Sequence, residues 1–123
     1  MTTLEFIDPR LEYVTDFTLK GERLGLRSFD WRDESGWLYA FATMAGIRYV
    51  GQTSRILRSR LSDYRHNTTS QPLRVRTRII AELKAARAVQ VIGMKQSDPA
   101  LLVSGEAELL ARHRPPWNRS IPA

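Results

Sequence analysis

The sequence predicts an α+β fold in which a small three-stranded antiparallel sheet is flanked by about three helices and preceded by an N-terminal accessory arm. Three observations lead to this prediction. Apolar residues alternate at period two from Trp37 to Gly51, they recur at helical spacing from residue 54 onward, and a short apolar run then precedes a well-capped last helix. At 123 residues, a single domain with one core is expected.

Residues 1–35 are the accessory arm of this prediction. Within them "LEYVTDFTLKG" alternates loosely like a strand, and "DWRDESG" is a polar turn that leads into the next segment. Residues 36–123 then form the main domain. The boundary is placed where this polar turn gives way to the strongly apolar tyrosine segment.

A hairpin is predicted over residues 37–51. The odd positions from 37 to 41 are aromatic and share one face of a strand, and the odd positions from 47 to 51 continue that face after Gly46. With the turn centred near Met44, Tyr39 and Tyr49 are expected to lie directly opposite each other.

The rest of the chain reads as helix, helix, strand, helix. Helical spacing of apolar residues predicts helices over about 54–66 and 73–88, and "AVQVIGM" reads as a third short strand that ends near Lys95. The last helix is expected over about 99–113, because Asp98 suits the N-cap position and Pro99 suits the first turn.

Composition excludes several classes of protein. The chain has no cysteine and two histidines, so a disulfide, a thiol nucleophile and a zinc site are not expected. No apolar run is long enough to span a bilayer, and no signal sequence opens the chain. The default expectation is a soluble, cytoplasmic protein that does not bind membranes.

Positive charge is concentrated after residue 36. Residues 1–36 carry five basic and eight acidic side chains, whereas the remainder carries fourteen basic and five acidic ones. The basic residues between 55 and 87 are almost all arginine, which favours bidentate contacts with phosphate, although a solvated helical surface has the same appearance. The arginines expected to contact DNA are Arg55, Arg58, Arg74, Arg76 and Arg78.

Two tyrosine motifs in the hairpin resemble the signatures of the GIY-YIG nuclease superfamily. Tyr39 in "WLY" matches the first signature tyrosine, with Trp37 in the place of the usual leading glycine. "YVG", which begins at Tyr49, matches the second signature closely. Residues 36–119 contain all the elements that resemble the family.

Four downstream residues extend this resemblance. The family has an arginine followed four residues later by a histidine or tyrosine, and "ILRSRLSDY" supplies Arg60 and Tyr64 at that spacing. It also has a metal-binding glutamate on a late helix and an asparagine twelve residues further on, which Glu106 and Asn118 match. Five elements in the right order are far more specific than any one of them.

The resemblance implies a divalent-metal-dependent endonuclease that hydrolyses DNA and leaves a 5′ phosphate and a 3′ hydroxyl. It implies that Tyr39 is the general base, that Arg60 holds the scissile phosphate and that Glu106 binds Mg²⁺ or Mn²⁺. Tyr49 and Tyr64 are expected to position the water or the phosphate, and either can share the proton relay. Because a phenol is a weak base at neutral pH, Tyr39 needs a nearby cation to stabilise its phenolate.

Asn118 is expected to tie the last turn to the hairpin through its amide. A domain of the same fold that binds nucleic acid without cleaving it is the alternative function. Specificity for a DNA sequence can come from the arm, from the arginines at 74, 76 and 78, or from a targeting partner protein. A homodimer formed through residues 1–35 is a further hypothesis.

Overall fold

The computed structural model describes residues 8–29 and 34–118, which form five strands and three helices. The polar turn predicted over 30–36 has residues 30–33 outside this described part. The elements in chain order are β1 Glu12–Lys20, β2 Arg23–Leu26, β3 Ser35–Thr43, β4 Gly46–Ile56, α1 Leu57–His66, α2 Ser70–Lys84, β5 Gln90–Lys95 and α3 Pro99–His113.

All five strands belong to one antiparallel sheet with the order β2-β1-β5-β3-β4. The predicted three-stranded sheet with an accessory arm is therefore wrong. The segment expected to form the arm supplies β1 and β2, and β1 pairs along β5 while Phe17 and Leu24 enter the core. The physical reason is that β5 would otherwise be an open edge, and β1 provides its hydrogen-bonding partner. The division of the chain at residue 35 stays a prediction.

The turn between β3 and β4 has Met44 and Ala45 at its tip, as predicted, but the register differs. A β-bulge beside Phe41 shifts the pairing, so Tyr49 lies opposite Phe41 and Tyr39 lies opposite Gly51. The prediction that Tyr39 and Tyr49 face each other directly is wrong. The bulge also turns Ile47 to the other face of the sheet, away from Tyr49.

Helices cover both faces of the sheet. The aromatic face of the β3–β4 hairpin packs against α1 and α2, while the opposite face packs against α3 through Leu102 and Leu109. α3 begins as predicted, with the Asp98 carboxylate accepting a hydrogen bond from the backbone N–H of Ala100. Within the described ranges, no helix has the length and apolar character needed to cross a membrane.

Candidate active site

Three tyrosine hydroxyls meet beneath α1, on the aromatic face of the sheet. The Tyr64 oxygen lies 2.6 Å from the Tyr39 oxygen and 3.0 Å from the Tyr49 oxygen, so Tyr64 bridges the other two. Alternation along β3 and β4 directs Tyr39 and Tyr49 to this face, and helical spacing places Tyr64 on the buried side of α1. All three side chains are almost completely buried.

Arg60 joins this cluster from one turn earlier on α1. Its Nε donates a 2.9 Å hydrogen bond to the Tyr39 hydroxyl, and its guanidinium carbon lies 5.0 Å from the centre of the Tyr64 ring. The Asp63 carboxylate accepts a second bond of 2.9 Å from the same guanidinium. Arg60 is thus held in a fixed position, and 23% of its side chain reaches solvent.

Gly51 allows the Tyr39 ring to cross the edge strand β4. A Cβ at position 51 would lie 2.5 Å from both the Cζ and the hydroxyl oxygen of Tyr39, closer than any side chain permits. This contact gives the glycine of "YVG" a physical role, since it makes room for the tyrosine of "WLY". The two signature motifs therefore depend on each other through one contact.

The structure adds three polar residues that the sequence reasoning did not single out. Gln71, in the first turn of α2, donates a 2.8 Å hydrogen bond to the Tyr49 hydroxyl, Asp63 holds Arg60, and Gln52 contacts Glu106. The sequence does carry a signal for Asp63, because it follows Arg60 by three residues and residues at this spacing on a helix lie close together. Nothing in the sequence marks Gln71, because its contact joins two elements that are far apart in the chain.

Glu106 lies on α3, on the other side of the edge strand from the tyrosines. The Gln52 amide is 3.5 Å from its carboxylate, and Arg60 and Tyr49 both interact with it electrostatically. Partial burial raises the pKa of Glu106, because a charged carboxylate loses hydration there. Within residues 8–29 and 34–118, no group of three or more acidic, histidine or cysteine side chains forms a metal cluster.

Asn118 binds the backbone of the hairpin from the C-terminal turn. Its side-chain oxygen accepts from the Val50 N–H and its amide nitrogen donates to the Val50 C=O, both at 2.9 Å. The expected tie between the last turn and the hairpin is therefore present. Because β4 is an edge strand, Asn118 takes the place of a neighbouring strand at this point.

The arginines expected to contact DNA differ in their surroundings. Arg74 donates to the Trp117 carbonyl at 2.7 Å, Arg55 pairs with Asp63, and Arg58 stacks on the Phe29 ring. Arg76 is half-buried and Arg78 is exposed on α2. Their contact with DNA stays a prediction.

Burial dominates the electrostatics of the tyrosine cluster. It raises the pKa of Tyr39, Tyr49 and Tyr64 above the usual value for a phenol, since a phenolate would lose its hydration. The positive charge of Arg60 acts in the opposite direction on the pKa of Tyr39 but is outweighed. In the free protein at neutral pH, all three tyrosines are therefore neutral.

This chain is similar in structure to bacteriophage T4 EndoII, which was solved as a mutant with a glutamate-to-alanine substitution. The two agree with a TM-score of 0.69 over 88% of this chain and 91% of that chain, at 19% sequence identity. No family model matches the sequence, and no curated protein matches it. The likeness shows that the chain has the fold of EndoII.

Proposed function

We propose that this protein is a divalent-metal-dependent endonuclease that hydrolyses DNA phosphodiester bonds, as the resemblance to the GIY-YIG superfamily implies. The observation that carries the proposal is the hydrogen-bonded cluster of Arg60 with the three tyrosines. Its members come from three separate segments, and the resemblance implies a functional role for each of them. The shared fold with EndoII, an endonuclease, supports it.

The residues around Glu106 fit a hard divalent cation. Mg²⁺ keeps most of its waters and needs one or two protein carboxylates when phosphate oxygens complete its coordination, so Glu106 alone is sufficient. The neighbouring Gln52 amide, 3.5 Å from the Glu106 carboxylate, would help to orient this carboxylate toward such an ion. When bound, the metal polarises the phosphate and stabilises the charge on the leaving oxygen.

The chain's own residues bind and orient the substrate. Arg60 is placed to hold the scissile phosphate, because its guanidinium is fixed by Asp63 yet reaches solvent. The Tyr39 hydroxyl is in contact with Arg60 and receives the proton of the attacking water. Substrate binding must shift the guanidinium from this hydroxyl toward the phosphate, since the tyrosine is otherwise covered.

The test is cleavage of supercoiled plasmid in Mg²⁺ or Mn²⁺ by the wild-type protein and by Glu106→Gln. The wild type is expected to nick the plasmid, and the variant is expected to lose this activity. Glu108→Gln is the matched control, because Glu108 lies two residues further along the same helix, is 57% exposed and pairs with Arg10.

The alternative, a binding domain without catalysis, predicts a different result. All of these proteins would then leave the plasmid intact in both metals while still binding DNA in a filter or anisotropy assay. That outcome contradicts the enzyme proposal. Loss of cleavage in Arg60→Ala with binding retained supports the role given to this arginine.

A further inference from the structure

The tyrosine cluster holds one proton more than its internal hydrogen bonds can use. The three hydroxyls carry three protons, and the two bonds that join them use two. Both ends of the chain already accept a bond from outside, from Arg60 at Tyr39 and from Gln71 at Tyr49. The third proton is therefore left for a hydrogen-bond acceptor outside the cluster, such as water or a substrate oxygen.

The position of Tyr64 restricts where that proton lies. If Tyr64 accepted bonds from both neighbours, its own proton would be left inside the cluster, whereas a proton left on an end tyrosine lies beside Arg60 or Gln71, whose side chains reach solvent. Tyr64 therefore donates to one tyrosine and accepts from the other. The chain of hydrogen bonds therefore runs in one direction. One end tyrosine offers a proton, and the other offers a free lone pair.

The charge of Arg60 selects the direction. A guanidinium stabilises the tyrosine oxygen that has the higher electron density. That oxygen belongs to the end tyrosine with a free lone pair. Arg60 binds Tyr39. Gln71 is a neutral donor, so it exerts no comparable effect at Tyr49. Tyr39 is thus the accepting end, and Tyr49 is the end that donates a proton outward.

We propose that Tyr49 is the general acid of the reaction, donating its proton to the leaving 3′ oxygen of the DNA, and that Gln71 positions its hydroxyl for this role. The proposal rests on the function proposed above. The attacking water gives a proton to Tyr39, Tyr39 gives its own to Tyr64, Tyr64 gives its own to Tyr49, and Tyr49 protonates the leaving oxygen. The new P–O bond forms as the P–O3′ bond breaks, and all three tyrosines end as neutral phenols.

This relay removes the difficulty that burial creates for a tyrosine base. Burial disfavours the phenolate of each tyrosine, but a transfer along the chain passes through no isolated phenolate. Both end oxygens lie within 3.0 Å of the Tyr64 oxygen, which is close enough for direct proton transfer, and they are therefore less than about 6 Å from each other, a separation that one phosphoryl group can bridge.

A substrate can also reach both end tyrosines of this hydrogen-bond chain. The groups that cover them are the side chains of Arg60, which is partly exposed, and of Gln71, whose residue is exposed. Arg60 can exchange the Tyr39 oxygen for a phosphate oxygen without losing a hydrogen bond, whereas Gln71 donates to a lone pair of Tyr49 and leaves the Tyr49 proton free. Among the described residues no such donor binds the Tyr64 hydroxyl, which stays buried between the two end tyrosines.

The experiment compares two DNA duplexes at a cleavage position mapped with the wild-type protein. One has the natural leaving oxygen, and the other has sulfur in place of the 3′ oxygen, with Mn²⁺ used throughout. A thiolate is a far weaker base than a sugar alkoxide, so it leaves without being protonated. Single-turnover rates are measured for the wild type, Tyr49→Phe and Tyr39→Phe, with thermal unfolding as a check of folding.

On the oxygen substrate, Tyr49→Phe is expected to lose roughly 10²- to 10⁴-fold in rate, the range for removal of a general acid. On the sulfur substrate most of that loss should disappear, whereas Tyr39→Phe should stay impaired on both. Equal losses of Tyr49→Phe on the two substrates would show that Tyr49 has no acid role. Failure of the wild type to cut the oxygen substrate would instead remove the proposed function, and the relay with it.

Gln71→Leu provides a second test of the proposal, in which no tyrosine is altered. Because Gln71 acts only through Tyr49, the variant is expected to be slower on the oxygen substrate and close to wild type on the sulfur substrate. Gln71→Glu replaces the amide donor by a carboxylate acceptor and should draw the Tyr49 proton away from the substrate. A rate for Gln71→Leu that is lowered equally on both substrates contradicts the positioning role.

Discussion

Replacing Gly51 with alanine tests the contact that brings the two tyrosine motifs together. The added Cβ would lie 2.5 Å from the Cζ and the hydroxyl oxygen of Tyr39, at least about 0.9 Å short of ordinary van der Waals contact. The backbone at Gly51 does not have a positive φ, so the cost comes from the overlap and not from the conformation of alanine. Tyr39 cannot move aside freely, because its hydroxyl is bonded to Arg60 and Tyr64.

Overlap of this kind in a packed core costs about 1–3 kcal/mol. We therefore expect the free energy of unfolding in urea to fall by that amount, and Tm to fall by roughly 3–5 °C for each kcal/mol. Displacement of the Tyr39 hydroxyl should also lower the nicking rate at least about a hundredfold, because a shift near 1 Å in a reacting group has that effect.

Two variants control this experiment. Gly93 lies in β5, which is separated from the strand of Gly51 by β3, and a Cβ at Gly93 would be 3.2 Å from its closest neighbour, so Gly93→Ala is expected to lose much less stability than Gly51→Ala. In a Tyr39→Leu background the ring is absent, and Gly51→Ala should then cost little. A Gly51→Ala protein as stable as wild type, or an equal cost in both backgrounds, would refute the reasoning.

Three other substitutions have defined outcomes. Glu106→Gln should lower metal-dependent cleavage more than about a hundredfold yet raise the free energy of unfolding at pH 7, since the raised pKa of the carboxyl makes its ionised form unfavourable in the fold. In urea titrations this stability gain should vanish as the pH falls through the ordinary glutamate range near 4, and a gain that persists there contradicts the burial argument. Asn118→Ala leaves the buried Val50 N–H without its partner and should cost about 1–3 kcal/mol by the same titration, whereas a neutral result would mean that the tie is not needed. Arg60→Lys keeps the charge but cannot hold Tyr39 and Asp63 together, so kcat should fall roughly ten- to a hundredfold, and full activity would exclude a role for the planar fork.

Local patterns allowed much of this fold to be predicted from sequence. The helices and the third predicted strand are found near their expected bounds, and the Asp98 cap is present, because spacing and capping depend on a few adjacent residues. The alternation in "LEYVTDFTLKG" is typical of a strand, and β1 occupies this segment. Its pairing with β5 could not be read, since the two strands are joined only through distant parts of the chain.

The site shows the same division between local and distant information. Arg60 and Tyr64 are four residues apart, which places both on one face of a helix, and the alternation over residues 37–41 places Tyr39 on the same strand face as Phe41. The exact pairing of Tyr39 and Tyr49 depended on a bulge beside Phe41, for which the sequence carries no local signal. Gln71 was missed because its role depends on where α2 packs against the hairpin.

The burial that makes the tyrosine cluster stable also limits how it can act. Neutral phenols suit a packed interior, and here Arg60 and Gln71 donate hydrogen bonds to the two end hydroxyls in the free protein. A catalytic base, in contrast, needs a lone pair that is open to water. In the proposed function, substrate phosphate resolves this conflict, because it offers Arg60 a new acceptor of higher charge and so uncovers the Tyr39 hydroxyl. The cluster is therefore expected to be closed without DNA and reactive only when a phosphate is bound, which restricts proton transfer to the intended bond.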